Sequence, residues 1–410
     1  MNDVGVVMLT NAVAPDKLGG LERYVRELSA ALVRSGVPVI VVAKAMSADQ
    51  AGTVLEADGV QVVRYRVPGK RNPAFAALYP WRVAQGVRTA LARSGVSSVI
   101  HGHFAVPALP LTFGRRGAFG GTGRFLYTFH APVYRELLSE RQGSYLLPRA
   151  VQRPVVAALR RAEARVVSTA GTVTVLSEFM RRELAALSGP AAEQAVLLPG
   201  GIDTGWFCPG PAVAEEWAQD ADPLLFTARR LTPRTGVLDL VRAMSHVVVA
   251  QPRARLAIAG DGAQRPAVQA EIDRLGLGGR VRLLGRVSDP ELRDWYRRAN
   301  LTVMPTTELE GFGLTTAESL ACGTPALVTP VGANPELVSA LHPLLVAPDA
   351  SEHGLAAGIL RLLERPEALV ETRARARDVV HPAWSWSAVA TRFRELYACP
   401  ARKAAALEVR

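Results

Sequence analysis

Two glutamates and three arginines, set among glycines, carry the most suggestive chemistry in this chain. Glu310 and Glu318, with seven residues between them, lie in the stretch EGFGLTTAESLACGTPALV. Leu314, Ala317 and Leu320 recur at helical spacing, so Leu314 to Ala321 reads as a short amphipathic helix. Gly311 and Gly313, either side of Phe312, leave backbone N–H groups unshielded just before that helix. Partial positive charge collects at such an N-terminus, so the amides from Gly311 through Phe312, Gly313 and Leu314 to Thr315 form a cradle for phosphate or sugar hydroxyls. Two carboxylates beside an anion cradle suit polyol hydroxyls next to a diphosphate better than phosphate alone. The physical reading is therefore a nucleotide-sugar pocket, although the bare spacing of the two acids by itself favours a loop and helix whose glutamates are merely solvated.

The arginines stand about 80 residues earlier. Leu224 to Ala228 reads as a buried strand, and Arg229, Arg230 and Arg234 follow it, ahead of a helix from Val237. Guanidinium groups between a strand and a helix can hold a diphosphate through charge-assisted hydrogen bonds. Gly260-Asp261-Gly262 follows the strand-like Ala254 to Ala259. A dinucleotide fingerprint would need glycine at 265, where Arg265 stands, so a nicotinamide-linked oxidoreductase is disfavoured. Gly285-Arg286-Val287 closes the strand Val281 to Leu284, and Leu301 to Met304 leads into the glutamate stretch. Asp220-Ala-Asp222 spells a metal-binding acid pair, but it precedes Pro223 in a polar linker, and no metal site is expected from it.

The string from Glu310 to Pro325 resembles the signature of family 4 of the retaining glycosyltransferases. That resemblance implies an α/β architecture of the GT-B type, two doubly wound Rossmann-like domains facing across a cleft. It also implies transfer of a sugar from a nucleoside-diphosphate sugar to an acceptor hydroxyl, with UDP or GDP as the nucleotide. No tightly bound cofactor and no metal are expected. Carried over residue by residue, Glu310 meets the transferred sugar, Glu318 the ribose, and the turn at Arg286 and Val287 the base. Arg230 takes part in stabilising the leaving diphosphate, and His130, directly after a strand, contacts donor or acceptor. His130, Arg230 and Glu310 are the expected catalytic residues. The family's usual pattern is Gly-Arg-Leu, then Lys-Gly five residues after the Arg. Here Arg229 replaces the glycine and Thr235 stands where the lysine belongs, with Arg234 one position earlier as a substitute charge.

The first half must position its own residues. Val4 to Leu9 reads as a strand, followed by a loop with Gly19 and Gly20 and a helix from Leu21 to Val33. That is the opening unit of a doubly wound sheet, whose ligands gather at the carboxyl ends of the strands. In the resembling family a Gly-Gly with Glu two positions on, here Glu22, occupies this loop. Further strands are expected at Val37 to Ala43, Val60 to Tyr65, Ser97 to Ile100, Arg124 to Thr128, Thr172 to Leu176 and Val196 to Leu198. His101 and His103 end the Ser97 strand; with no third ligand at zinc spacing, they read as cleft-lining or structural. Pro132 to Arg153, basic and aromatic, reads as an acceptor or membrane-facing surface, or as an ordinary solvated helix pair. Pro199-Gly200-Gly201-Ile202-Asp203 and the Pro/Gly-rich Phe207 to Pro211 mark the passage between domains. The expected division is 1–205 on the acceptor side, 206–385 binding the nucleotide-sugar, and 386–410 as a helix crossing back.

The 410 residues suit two cores. No apolar run approaches the roughly 18 residues of a membrane-spanning helix. The start of the sequence has no basic flank of a signal peptide and reads as a first strand. Three scattered cysteines support neither a disulfide framework nor a metal cluster, so the expected compartment is the cytoplasm. The net charge of +11 comes almost wholly from dispersed arginines, without a recognition helix or basic arm, so nucleic acid is not an expected partner. The expected partners are a nucleotide-sugar donor and a hydroxyl-bearing acceptor, a small natural product or a cell-envelope glycoconjugate. Peripheral membrane contact follows if the acceptor is a lipid. Two alternatives stay open: a sugar phosphorylase on the same fold, and a non-catalytic partner subunit of glycosyltransferase type.

Overall fold

A computed structural model describes residues 4–16, 19–47, 50–56, 58–69, 72, 74–94, 98–113, 124–135, 149–211 and 222–398. The chain divides into two compact units. The described residues of the first fall within 4–135, 149–201 and 386–398; those of the second lie within Ile202–Ser385. Most of the Pro132 to Arg153 surface, Asp220, Cys399 and three of the four lysines lie outside the described residues.

The first unit is an eight-stranded sheet. Its strands are β1 (Gly5–Leu9), β2 (Val39–Lys44), β3 (Gly52–Leu55), β4 (Gln61–Tyr65), β5 (Ser98–Gly102), β6 (Arg124–Phe129), β7 (Thr172–Val175) and β8 (Val196–Leu197). They lie in the order β3-β4-β2-β1-β5-β6-β7-β8, all parallel except the pairing of β3 with β4. β1 and β2 are buried along almost their whole length, which is why VVML and VIVVA run apolar instead of alternating. The order reverses between β1 and β5, and that reversal opens a crevice at the carboxyl ends of those strands. The helix Gly20–Arg34 starts there, directly after Gly19. The helix Trp386–Ala398 belongs to this unit and buries Trp386, Val389, Phe393, Leu396 and Tyr397. Trp386 packs so tightly on Gly201 that a Cβ there would lie 2.2 Å from the indole ring.

The second unit is a five-stranded parallel sheet, β11-β10-β9-β12-β13. The strands are β9 (Leu224–Ala228), β10 (Arg255–Ala259), β11 (Val281–Gly285), β12 (Leu301–Met304) and β13 (Ala326–Val328). Here the order reverses at β9, between β10 and β12. The helix Val237–Ala250 lies against Glu352–Leu363, their apolar faces buried together. The helix Asp289–Arg298 opens with a capping box in which Ser288 and Glu291 satisfy each other's backbone N–H groups. Both units are thus doubly wound Rossmann-like α/β domains. Among the described residues, no helix is long and apolar enough to cross a membrane.

Candidate functional site

The second unit gathers most of the expected residues where its strand order reverses. β9 ends at Ala228, which puts Arg229 at the carboxyl edge of the sheet; β12 ends at Met304, which sends residues 305–313 past the same edge. The two loops meet through Arg229. Its Nη2 donates to Thr306 Oγ1 and to Glu310 Oε2, each at 2.8 Å, and its Nη1 donates to Thr315 Oγ1 at 3.2 Å. The Arg229 and Glu310 side chains keep only 8% and 17% of their exposure, so water screens this ion pair weakly. Arg229 Nε is buried without a hydrogen-bond partner among the described residues.

Gly313 caps the helix Leu314–Ala321 in the left-handed region, φ 89°. A Cβ there would stand 2.3 Å from Asn334 Oδ1, so glycine satisfies both the turn and the close approach. The same Asn334 oxygen accepts from Thr316 Oγ1 at 2.8 Å. Phe312 is buried with its ring 5.5 Å from that of Trp384, while Gly311, Leu314 and Thr315 are half-buried. Leu309, at φ 39°, turns the chain immediately before Glu310, and Ala333 N donates to the Glu310 carbonyl at 2.8 Å. Thr306, Leu309, Tyr296 and Asn334 support the site without any motif that marks them in the sequence.

The other expected residues distribute unevenly around this centre. Glu318 is 4% exposed, and its Oε2 accepts from the Tyr296 hydroxyl at 3.1 Å. Arg234 Nη1 donates to the Leu309 carbonyl at 3.1 Å. The Arg230 side chain is exposed, and its carbonyl accepts from the Thr235 hydroxyl at 2.7 Å. Thr235 also donates to the Thr232 carbonyl at 2.7 Å, so it closes the turn in which it lies. Gly260 N donates to the Gly285 carbonyl at 2.7 Å, which ties the β10 turn to the turn carrying Arg286 and half-buried Val287. Arg286 is exposed and stands 3.8 Å from Asp261. Asp222 pairs with Arg255 at 3.0 Å.

In the first unit, His101, His103 and His130 stand at the carboxyl ends of β5 and β6. His103 Nδ1 and His130 Nε2 share a hydrogen bond of 3.1 Å. His101 bonds the Tyr397 hydroxyl at 2.8 Å on one side and Thr128 Oγ1 at 2.7 Å on the other. Desolvation pushes His130 down to about 3 and lowers His101 and His103 well below their usual range, so all three rings are neutral. Burial of His101 and His103 makes them interior groups rather than exposed cleft residues. Tyr24 crosses the His130 ring edge-on, with centroids 4.7 Å apart; it projects from the helix that Gly19 and Gly20 begin.

Two family descriptions fit this chain. Glycosyltransferase Family 4 matches residues 18–206, and Glycosyl transferases group 1 matches residues 213–379. The chain belongs to this glycosyltransferase family. A D-inositol 3-phosphate glycosyltransferase from Thermobispora bispora is 29% identical over 92% of this chain and 89% of its own length. Among solved structures, a sucrose-phosphate synthase from Thermosynechococcus elongatus superposes with a TM-score of 0.76 at 22% identity, covering 96% of this chain and 98% of its own. Anabaena HepE, solved in complex with UDP and glucose, gives 0.72 at 18% identity, covering 96% of this chain and 99% of its own. These structural likenesses establish the GT-B glycosyltransferase fold.

Proposed function

We propose that this glycosyltransferase moves a sugar from a nucleoside-diphosphate sugar to an acceptor hydroxyl, with retention at the anomeric carbon. One observation carries the reading: the paired Glu310, the left-handed Gly313 and the buried Glu318 bracket one helix N-terminus at the strand-order reversal of the second unit. Glu310 takes the hydroxyls of the sugar, Glu318 those of the ribose, and the turns at Gly260, Arg286 and Val287 border the base. The bond between the anomeric carbon and the diphosphate oxygen breaks, while the acceptor oxygen bonds that carbon from the same face. The departing diphosphate takes the acceptor's proton. Its growing charge is met by Arg230, Arg234 and the amides of Phe312 to Thr315, groups whose individual removal costs about 3 kcal/mol in comparable sites. In the first unit, the backbone at Gly19 and Gly20 lets a diphosphate or an acceptor approach, and the neutral His130 orients the sugar or the acceptor. UDP or GDP is the nucleotide, and the acceptor is a small natural product or a cell-envelope glycoconjugate; a lipid acceptor would bring the chain to a membrane surface.

Thermal-shift titration with UDP-, GDP- and ADP-sugars tests this, because a ligand that binds the folded state raises its stability by mass action. One nucleotide series is expected to stabilise the wild-type chain, and Glu318→Ala to lose at least about tenfold in affinity for it. Stabilisation by inorganic phosphate and by no nucleotide would instead favour the phosphorylase reading.

A further inference from the structure

Arg229 sits where the resembling family has glycine, and nothing in the proposed chemistry yet requires it. Its guanidinium joins three segments at once: the end of β9, the loop carrying Thr306 and Glu310, and the first turn of the helix Leu314–Ala321. Ion pairing with Glu310 largely neutralises its charge, so its Coulombic pull on a diphosphate is small compared with that of an unpaired arginine. The buried Nε–H, without an acceptor among the described residues, is a cost that a side chain present only to fill space could shed in another rotamer. Thr235 cannot share the work, because its hydroxyl is committed to the carbonyls of Arg230 and Thr232. What Arg229 does fix is the direction of the Glu310 carboxylate.

We propose that Arg229 is a positioning residue for the transferred sugar: it acts through Glu310 and leaves the diphosphate to other groups. This rests on the donor reading above and adds a chain-specific determinant to it. The arrangement locks the carboxylate that meets the sugar before any ligand arrives, so the sugar end of the donor is recognised by a pair rather than by Glu310 alone. Diphosphate recognition stays with Arg230, Arg234 and the helix amides. A consequence is that the affinities for the nucleoside diphosphate and for its sugar ester respond differently to changes at 229.

Isothermal titration of the full chain separates these affinities, with UDP-glucose, GDP-mannose and ADP-glucose as probes beside UDP, GDP and ADP. For the nucleotide-sugar that the wild type binds, Arg229→Gln and Glu310→Gln are each expected to weaken binding by about tenfold. The matching nucleoside diphosphate is expected to change by less than about twofold, and the double variant to bind about as weakly as either single one. Equal losses for the diphosphate and its sugar ester would overturn the proposal by making Arg229 a phosphate ligand. Additive losses would overturn it as well. Should Arg229→Gln fail to fold, Arg229→Lys keeps the charge but not the three-way reach, and unchanged sugar-dependent affinity in that variant would refute the role. A wild-type chain that binds none of the six probes removes the donor reading itself, whereas wild-type binding with indifferent variants removes only this inference.

Discussion

The two units place their polar groups at equivalent points of similar sheets and fill them with opposite chemistry. In the first, three histidines stand at the carboxyl ends of β5 and β6, neutral and bonded to hydroxyls, a thioether and each other. In the second, a guanidinium and a carboxylate face each other among threonine hydroxyls. An uncharged, largely buried imidazole cluster suits orientation of a neutral group and opposes an ionic one. An ion pair beside a helix N-terminus suits a ligand that brings both negative charge and hydroxyls. The same fold thus supplies two different dielectric environments, and the residues that end the strands decide which.

The contrast breaks most severely at Gly313. Gly313→Ala forces a side chain into the left-handed region and against Asn334, at a strain cost of about 1–3 kcal/mol. Loss of nucleotide-sugar binding in titration, with a lower urea midpoint for the second unit, is the expected outcome; wild-type affinity would show that the cap is dispensable.

A smaller effect should appear on acidification. Histidines whose folded values lie below the usual 6.5 leave the unfolded state binding more protons, so their stabilising contribution falls as pH drops from about 6.5 toward 3. In the second unit, hydrogen bonds from Arg274 and Arg242 hold Glu271 down at about 2. The stability from that carboxylate is present above 4.5 and lost as pH falls from there toward 2. Acid unfolding followed by site-specific hydrogen exchange should therefore loosen the first unit ahead of the second, and the reverse order would contradict the neutral assignment of the histidines.

The smallest change is expected at Arg286, whose exposed pairing with Asp261 is worth at most about 1 kcal/mol. Arg286→Ala should leave the thermal midpoint within about 2 °C, measured by calorimetry. A large drop would mean that charge in the second unit is not concentrated at its buried pair.

Much of this arrangement was legible in the residues themselves. Apolar runs such as LLFTA and LTVM read as strands because both faces of a parallel sheet are covered, and the strands found at Leu224–Ala228 and Leu301–Met304 have the expected bounds. Gly313 and the seven-residue spacing of the glutamates located the helix N-terminus. The edge strand Gly52–Leu55 escaped, since a largely exposed strand carries no buried run. That Arg229 is the arginine held against Glu310, while the neighbouring Arg230 side chain is exposed, also escaped, because adjacent arginines look alike in sequence. Thr306 and Asn334 gave no signal because their importance comes from who meets them in space.

The return of Trp386–Ala398 to the first unit sets an order on biosynthesis. Phe393 and Tyr397, which sit against His101, leave the ribosome only after Ile202–Ser385 has been made. The second unit can close while the first still lacks a wall of its core. The half of the protein translated earliest is thus the one finished last, and a premature stop codon near 385 would cripple the beginning of the chain rather than its end.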